Sequence, residues 1–259
     1  MHVTIAGAFN PDYARHAIII EGLQAVGVTC HIAQIPAKSP TRTRWQHLRR
    51  AFHENRHSDV FFIPAFNQTS GFLAWALGKR YRVPVVMDYM VGLLDVQRDR
   101  GNAGRMHELS YRWIDTFNTR YLHTLTDTDI HRQKFSEWLQ QPVPKMHILP
   151  VGVKNLPVLP PPAENENYRP VQYAGTYIPF HGLETLITAA KHLPDVPFEL
   201  IGRGQMLQDI KNLAAGQDNI TFIKGYFDTE TLLEMQRRSS IMIGVLRNSE
   251  KTRYVIPNK

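Results

Sequence analysis

A chain of 259 residues with a net charge of +7 and an isoelectric point near 9.5 can bury one large core or two smaller ones, and it favours anionic partners. Its apolar and charged fractions are those of an ordinary globular protein, which excludes a disordered or fibrous class. One cysteine excludes an internal disulfide framework and suits a reducing cytoplasm, and no apolar run is long enough to cross a bilayer.

From the amino terminus, strand-like and helix-like segments alternate. Residues 2–8 form a β-type run, and the N-terminus therefore lacks the charged, apolar and small-residue order of a signal peptide. Residues 11–26 carry Ala14, Ala17, Ile18, Leu23 and Val26 at helical spacing and stop at Gly27. Asn10 stands where a helix starting at Pro11 wants its cap. Residues 29–35 are the second strand, with Cys30 expected in the core. Residues 44–57 read as a polar helix. Strands follow at 60–63, 83–87, 124–126 and 146–149, and helices at 72–79, 106–120 and 127–138. Thr126 or Asp127 is the candidate cap of the last helix, and His131 reads as a satisfied polar residue on its face. This alternation predicts a mostly parallel sheet with helices on both faces.

Residues 156–170, LPVLPPPAENENYRP, hold five prolines and a polar patch between two patterned halves. They are expected to be a stiff linker between a first domain, 1–155, and a second, 171–259. The second half opens on a strand–loop–helix–strand–glycine unit, YAGTYIPFHGLETLITAAKHLPDVPFELIGRG. Leu183, Leu186, Ile187, Ala190 and Leu193 have helical spacing, and 198–201 is the return strand. Gly175, Thr176, His181, Gly182, Arg203 and Gly204 lie at the carboxyl edge of this unit, where ligands of open α/β sheets sit. A helix start at Gly182 offers unpaired amides and partial positive charge to a phosphate, whereas glycines that only make turns are the alternative.

In its order and spacing, GT–loop–HGLETLITAA, ELIGRG, NITFIKGY and the apolar run 241–246 together resemble the C-terminal domain of family 4 glycosyltransferases. The resemblance covers 171–259 and extends more weakly over the first half. It implies the GT-B fold: two Rossmann-like domains facing across a cleft, the second incomplete here, because such enzymes continue with further strands past the position of Lys259. Weak turnover by residues 1–259 alone is the matching expectation. By resemblance, the donor is a nucleotide-sugar and the acceptor a glycan or lipid-linked glycan, and transfer retains anomeric configuration. The setting is bacterial-type polysaccharide or glycoconjugate synthesis. Neither a metal nor a cofactor is implied, and the 12 histidines show no metal spacing.

The loop after the first strand, AFNPDYAR, resembles the acceptor-side loop of a subgroup, so Asn10 and Arg15 become acceptor-binding candidates. Asp88 ends a strand and is the catalytic candidate, orienting the acceptor or taking its proton; a turn-forming aspartate is the alternative. Family members place basic residues before the donor-site helix, and here IPFHGL offers only His181. The donor's charge is then expected to meet Arg203, Arg247, Lys251, Arg253 and Lys259, with Gly225 and Tyr226 near the base. Residues 38–56 mix Lys38 and five arginines with Trp45, Leu48 and Phe52. A membrane-surface helix, giving peripheral contact at the inner membrane face, is one reading. A solvated helix with those three side chains in the core is preferred, since amphipathicity is the norm for surface helices. A sugar-phosphate epimerase of the same architecture is the alternative enzyme. A basic nucleic-acid binder ranks below both, because no helix-turn-helix, zinc or aromatic RNP-type signature is present.

Overall fold

The structure, a computed structural model, describes residues 1–100, 105–152, 169–225, 227–249 and 251–253. They fall into two compact units, one of residues up to 152 and one from 169 onward. Most of the expected linker, residues 156–170, lies outside the described residues. Every strand pairing described is parallel.

Unit 1 contains β1 (His2–Ala8), α1 (Ala14–Ala25), β2 (Thr29–Ile35), α2 (Thr41–Glu54), β3 (Val60–Ile63), α3 (Gly71–Tyr81), β4 (Val85–Asp88), α4 (Leu93–Arg100), α5 (Arg105–Tyr121), β5 (His123–Thr126), α6 (Asp129–Leu139) and β6 (Met146–Ile148). The sheet order is β2-β1-β3-β4-β5-β6. Chain direction across the sheet reverses between β1 and β3, which puts a crevice outside their carboxyl ends. Short apolar runs such as Val60–Ile63 form strands because both faces are covered by helices. The main core joins Phe52 of α2 to Phe61 of β3, ring centroids 3.7 Å apart, with Leu48, Ile63, Met87 and Phe135 around them.

Several expectations for unit 1 need correction. α1 begins at Ala14, not Pro11, and its N-cap is Tyr13, without a side-chain cap bond. Asn10 instead closes a turn ahead of the helix, its Oδ1 accepting from the Asp12 amide at 3.1 Å. The cap of α6 is Thr128, whose hydroxyl accepts from the His131 amide. Asp127 is taken up elsewhere: its Oδ1 lies 2.7 Å from Nδ1 of the buried His131. Cys30 is only half-buried, because β2 is the edge strand. On α2, Leu48 and Phe52 enter the core as preferred, but Trp45 remains 38% exposed. α4 was not foreseen. Asp115 organises its start, accepting from the amides of Leu93 (3.0 Å) and Leu94 (3.1 Å) and from the Tyr89 hydroxyl. Burial pushes the Asp115 carboxyl above the usual carboxylate range, and the Tyr89 hydroxyl is pushed up with it.

Unit 2 contains β7 (Val171–Thr176), α7 (Leu183–His192), β8 (Phe198–Arg203), α8 (Leu207–Leu213), β9 (Ile220–Lys224), α9 (Thr229–Arg237) and β10 (Ile241–Ile243), with sheet order β10-β7-β8-β9. Leu183, Leu186, Ile187 and Ala190 of α7 are buried against Tyr173, Phe198 and Leu200. Leu193, expected on that face, falls past the end of α7 and is exposed. α8 and α9 were likewise not foreseen. Asp228 caps α9, accepting from the Thr231 amide at 2.8 Å.

Candidate functional site

The carboxyl ends of β7, β8 and β10 meet at one edge of unit 2. After β7 the chain doubles back against β8: the Tyr177 amide donates to the Arg203 carbonyl (2.9 Å) and the Met206 amide to the Tyr177 carbonyl (3.1 Å). A Cβ on Gly204 would overlap the Tyr177 backbone, and one on Gly202, at φ +136°, would overlap the Gly175 carbonyl. These glycines are required by backbone packing, whatever else they do. Tyr177 is buried and its hydroxyl donates to the Leu200 carbonyl at 2.9 Å, fixing the turn from below.

A short 3-10 turn, Pro179–His181, leads into Gly182, which caps α7 in the left-handed region at φ +65°. Among the described residues no side chain caps α7. The chain leaving β10 passes over this point: the Leu246 amide donates to the His181 carbonyl at 3.0 Å, and a Cβ on Gly182 would strike the Arg247 amide nitrogen. The contact brings the exposed Arg247 to the start of α7. His181 is held by Tyr173 Oη and the Thr176 carbonyl, each 2.6 Å from Nδ1. A carbonyl only accepts, so a bond between Nδ1 and the Thr176 carbonyl requires the proton on Nδ1. Burial and the neighbouring Tyr177 push the Tyr173 hydroxyl up, so it stays neutral and donates to the Thr176 carbonyl at 2.8 Å.

Gly175, Thr176, His181, Gly182, Arg203, Gly204 and Arg247 therefore share this edge. The other donor-site candidates lie apart or outside view. Gly225 follows β9, half-buried, where an added Cβ would meet the Phe227 ring at 3.1 Å. Arg253 is exposed in a 3-10 turn pinned by the Ser249–Thr252 bonds. Tyr226, Lys259 and the Lys251 side chain lie outside the described residues. Among the described residues no group of three or more His, Cys, Asp or Glu side chains is placed to hold a metal.

In unit 1 the carboxyl ends of β1, β3 and β4 carry the other candidates. Asp88 is not an exposed acid. Arg15 Nε donates to its Oδ2 at 2.7 Å and Arg15 Nη2 to its Oδ1 at 2.9 Å, with the two side chains 5% and 0% exposed. Asn67, which sequence reasoning missed, locks the crevice. Its Oδ1 accepts from the Ala8 amide at 2.9 Å, and its Nδ2 donates to the Ala8, Pro64 and Ala65 carbonyls. His16 was missed too. Its Nδ1 lies 2.8 Å from the Asn10 carbonyl, while its buried Nε2 has no hydrogen-bond partner among the described residues. Burial lowers the His16 pKa, so the ring is neutral near pH 7 and Nε2 is an acceptor. Tyr13 packs on His16 and, 5.8 Å away, on Phe66, an exposed aromatic held in the left-handed region at φ +68°. A bulky residue in that conformation is a true outlier and marks a place where strain is retained.

No family model matches the sequence, and no curated protein sequence matches it. Solved structures do match its fold. HepE of Anabaena, solved with UDP and glucose, superposes with a TM-score of 0.62 at 12% identity, over 93% of this chain and 73% of that one. WaaG, a glycosyltransferase involved in lipopolysaccharide biosynthesis, gives 0.57 at 12% identity over 96% and 76%. The UDP-GlcNAc 2-epimerase of Neisseria meningitidis, bound to UDP-GlcNAc, gives 0.54 at 13% identity over 93% and 76%. The fold class is GT-B, with two Rossmann-like units, as seen in glycosyltransferases and shared by that epimerase.

Proposed function

We propose that this chain is a glycosyltransferase of the family 4 type, moving a sugar from a nucleotide-sugar to a glycan or lipid-linked acceptor with retention. The setting is surface polysaccharide or glycoconjugate synthesis in the cytoplasm. One observation carries the reading: the uncapped start of α7 and the Arg247 segment are in backbone contact at Gly182. The Gly182 and Thr185 amides are spent on the Pro179 and Gly182 carbonyls, and those of Leu183 and Glu184, with the positive end of the helix and a nearby cation, suit a diphosphate. Arg247 supplies the charge that IPFHGL lacks, and Arg203 and His181 border the same edge. No side chain there is a covalent nucleophile. The protein's share is positioning and stabilisation of the departing diphosphate by fixed dipoles and cations.

On the acceptor side, the bidentate pair makes Asp88 a positioning residue that acts through Arg15. Asn10 is the exposed polar group offered to sugar hydroxyls, beside the Tyr13–Phe66 aromatic pair, with Arg15 and the neutral His16 buried behind it. HepE supports the donor class, since it was solved with UDP and glucose.

A thermal-shift panel of UDP-, GDP-, ADP- and CMP-sugars tests the reading. At a hundredfold excess over Kd the true donor stabilises the protein by ~2.7 kcal/mol, and Arg247→Glu abolishes that gain. No shift with any nucleotide-sugar, or the same shift in the variant, sinks the donor site. The epimerase likeness supports a second reading. Conversion of the sugar's configuration without an acceptor, followed by NMR, would select it over transfer.

A further inference from the structure

The amino-terminal edge of the unit 1 sheet, opposite Asn10, Arg15 and Asp88, holds a cavity that the transferase reading does not use. Its volume is about 400 Å³, within the range of small-ligand pockets, about 300–1,000 Å³. The ends of α3 and α5, the starts of β4 and β5, and Lys145 ahead of β6 enclose it. Part of the lining is apolar: Trp75, Val83, Val85 and Leu122. Trp75 and Tyr121 meet there at 5.7 Å between ring centroids, and Tyr121 is exposed.

The rest of the lining is basic. Lys79, Arg82 and Lys145 contribute three cations, and the lining holds no acid. Among the described residues none of the three forms an ion pair. The carboxyl ends of α3 and α5 bring about half a negative charge each, so the three cations leave a net charge of about +2. A basic residue in the last turn of a helix, such as Lys79, is common for that reason alone. Lys145 lies on no helix, however. Arg82 caps α3 in the left-handed region at φ +57°, a position that favours glycine, so a cation is kept there at a cost in backbone strain. The positive field reaches His123, another lining residue, whose pKa is lowered by burial first and then by His147 and Lys145.

We propose that this cavity is a second ligand site, which takes a nucleoside monophosphate. The phosphate, with a charge of about −1.5 to −2 near pH 7, meets Lys79, Arg82 and Lys145 in charge-assisted bonds. The base lies against the Tyr121 and Trp75 rings, and any base serves, since each has a π-face. A free phosphate would leave the aromatic and apolar lining uncovered, and an uncharged nucleoside would leave the cations unanswered. Ligands of open parallel sheets ordinarily bind outside the carboxyl ends of the strands. This cavity is at the other edge, so it is separate from both candidate edges described above. The proposal goes beyond the transferase reading and does not depend on it.

Titration of the full chain with AMP, followed by calorimetry and by tryptophan fluorescence, tests it. A base stacked at Trp75 should quench the fluorescence, and Trp75→Phe should remove most of the quench while the heat of binding remains. Lys79→Gln with Lys145→Gln should weaken binding at least about tenfold, because two charge-assisted contacts are withdrawn. Tyr121→Ala should weaken it about fivefold or more, the usual worth of one base on one ring. Arg82→Gly should also weaken binding, yet without lowering the urea midpoint, because glycine suits the left-handed cap. A folding defect therefore cannot account for that loss. Arg247→Glu should leave AMP binding as it was. Absence of heat and quench at ~5 mM AMP, where a Kd of about 1 mM would leave the site mostly filled, overturns the proposal. So does undiminished binding by Arg82→Gly or by the Lys79–Lys145 variant. Inorganic phosphate or adenosine binding as tightly as AMP would overturn the ligand class. Loss of AMP binding in Arg247→Glu would place the nucleotide at the edge of unit 2 and overturn the second site.

Discussion

Removing the Arg15 side chain should nearly unfold unit 1. In Arg15→Ala the Asp88 carboxylate, 0% exposed, loses both of its guanidinium bonds, at 2.7 and 2.9 Å. Breaking a buried pair on one side costs about 3–5 kcal/mol, because an uncompensated charge remains. That is comparable with the total stability of many domains, about 5–15 kcal/mol. The double replacement Arg15→Met, Asp88→Leu removes both charges and should recover most of the loss. The assay is unfolding in urea followed by tryptophan fluorescence. All four tryptophans, at 45, 75, 113 and 138, lie in unit 1, so the signal reports that unit alone. A cost below about 1 kcal/mol for Arg15→Ala is the magnitude of an exposed pair and would refute the reasoning. A double variant no more stable than the single would refute it as well.

Two further outcomes follow from the same geometry. His16 has a pKa lowered from 6.5 by burial, so its neutral form belongs to the folded state. Its contribution to stability is complete above the unfolded value and is lost as pH falls through the lower folded value. His16→Gln should therefore flatten the decline in unit 1 stability from about pH 7 to about pH 5, and an unchanged slope in tryptophan-monitored melts would exclude His16 as the cause. Gly182→Ala forces a Cβ into the Arg247 backbone at φ +65°, whereas Gly216→Ala, at φ +79°, meets open space. Calorimetry should show a cost of about 1–2 kcal/mol for Gly216→Ala and clearly more for Gly182→Ala; equal costs would mean that the Arg247 segment yields freely.

The strands were legible because each is a short apolar run bounded by polar or glycine residues, as VFFI and FELIGR show. The helices that organise units locally were harder. α4, α8 and α9 are short, and two of their starts depend on side chains rather than on apolar period: Asp115 from a distant helix for α4, and Asp228 for α9. The cap of α6 lies one residue past Asp127 and two past Thr126, because Asp127, a good cap by type, is drawn to His131 instead. At the carboxyl edge of unit 2, Gly182, Gly204 and His181 could be read from a local strand–loop–helix pattern. At that of unit 1, Arg15 and Asp88 were each singled out, but 73 positions separate them, and no local rule reveals that they satisfy one another. His16 carried one faint signal: in the stretch Ala-Arg-His it is the residue that a helix starting at Ala14 turns inward beside Ala17.

The loop IPFHGL shows how a missing residue type can be supplied from elsewhere in a sheet. If the donor's diphosphate needs a cation at the start of α7, that cation need not come from the preceding loop. β10 lies beside β7 in the sheet, so the chain that follows β10 emerges next to the chain that follows β7. Gly182 then matters twice: its left-handed conformation turns the chain into α7, and its missing Cβ leaves room for the Arg247 backbone. Any larger residue would separate the cation from the helix amides. On the proposed reading, substituting Gly182 should therefore weaken nucleotide-sugar binding even where unit 2 stays folded. Moving the charge, with Pro179→Arg in the Arg247→Ala background, should restore part of the thermal shift. Restoration would assign Arg247 an electrostatic role; failure, with the fold intact, would show that the Arg247 segment acts by its shape.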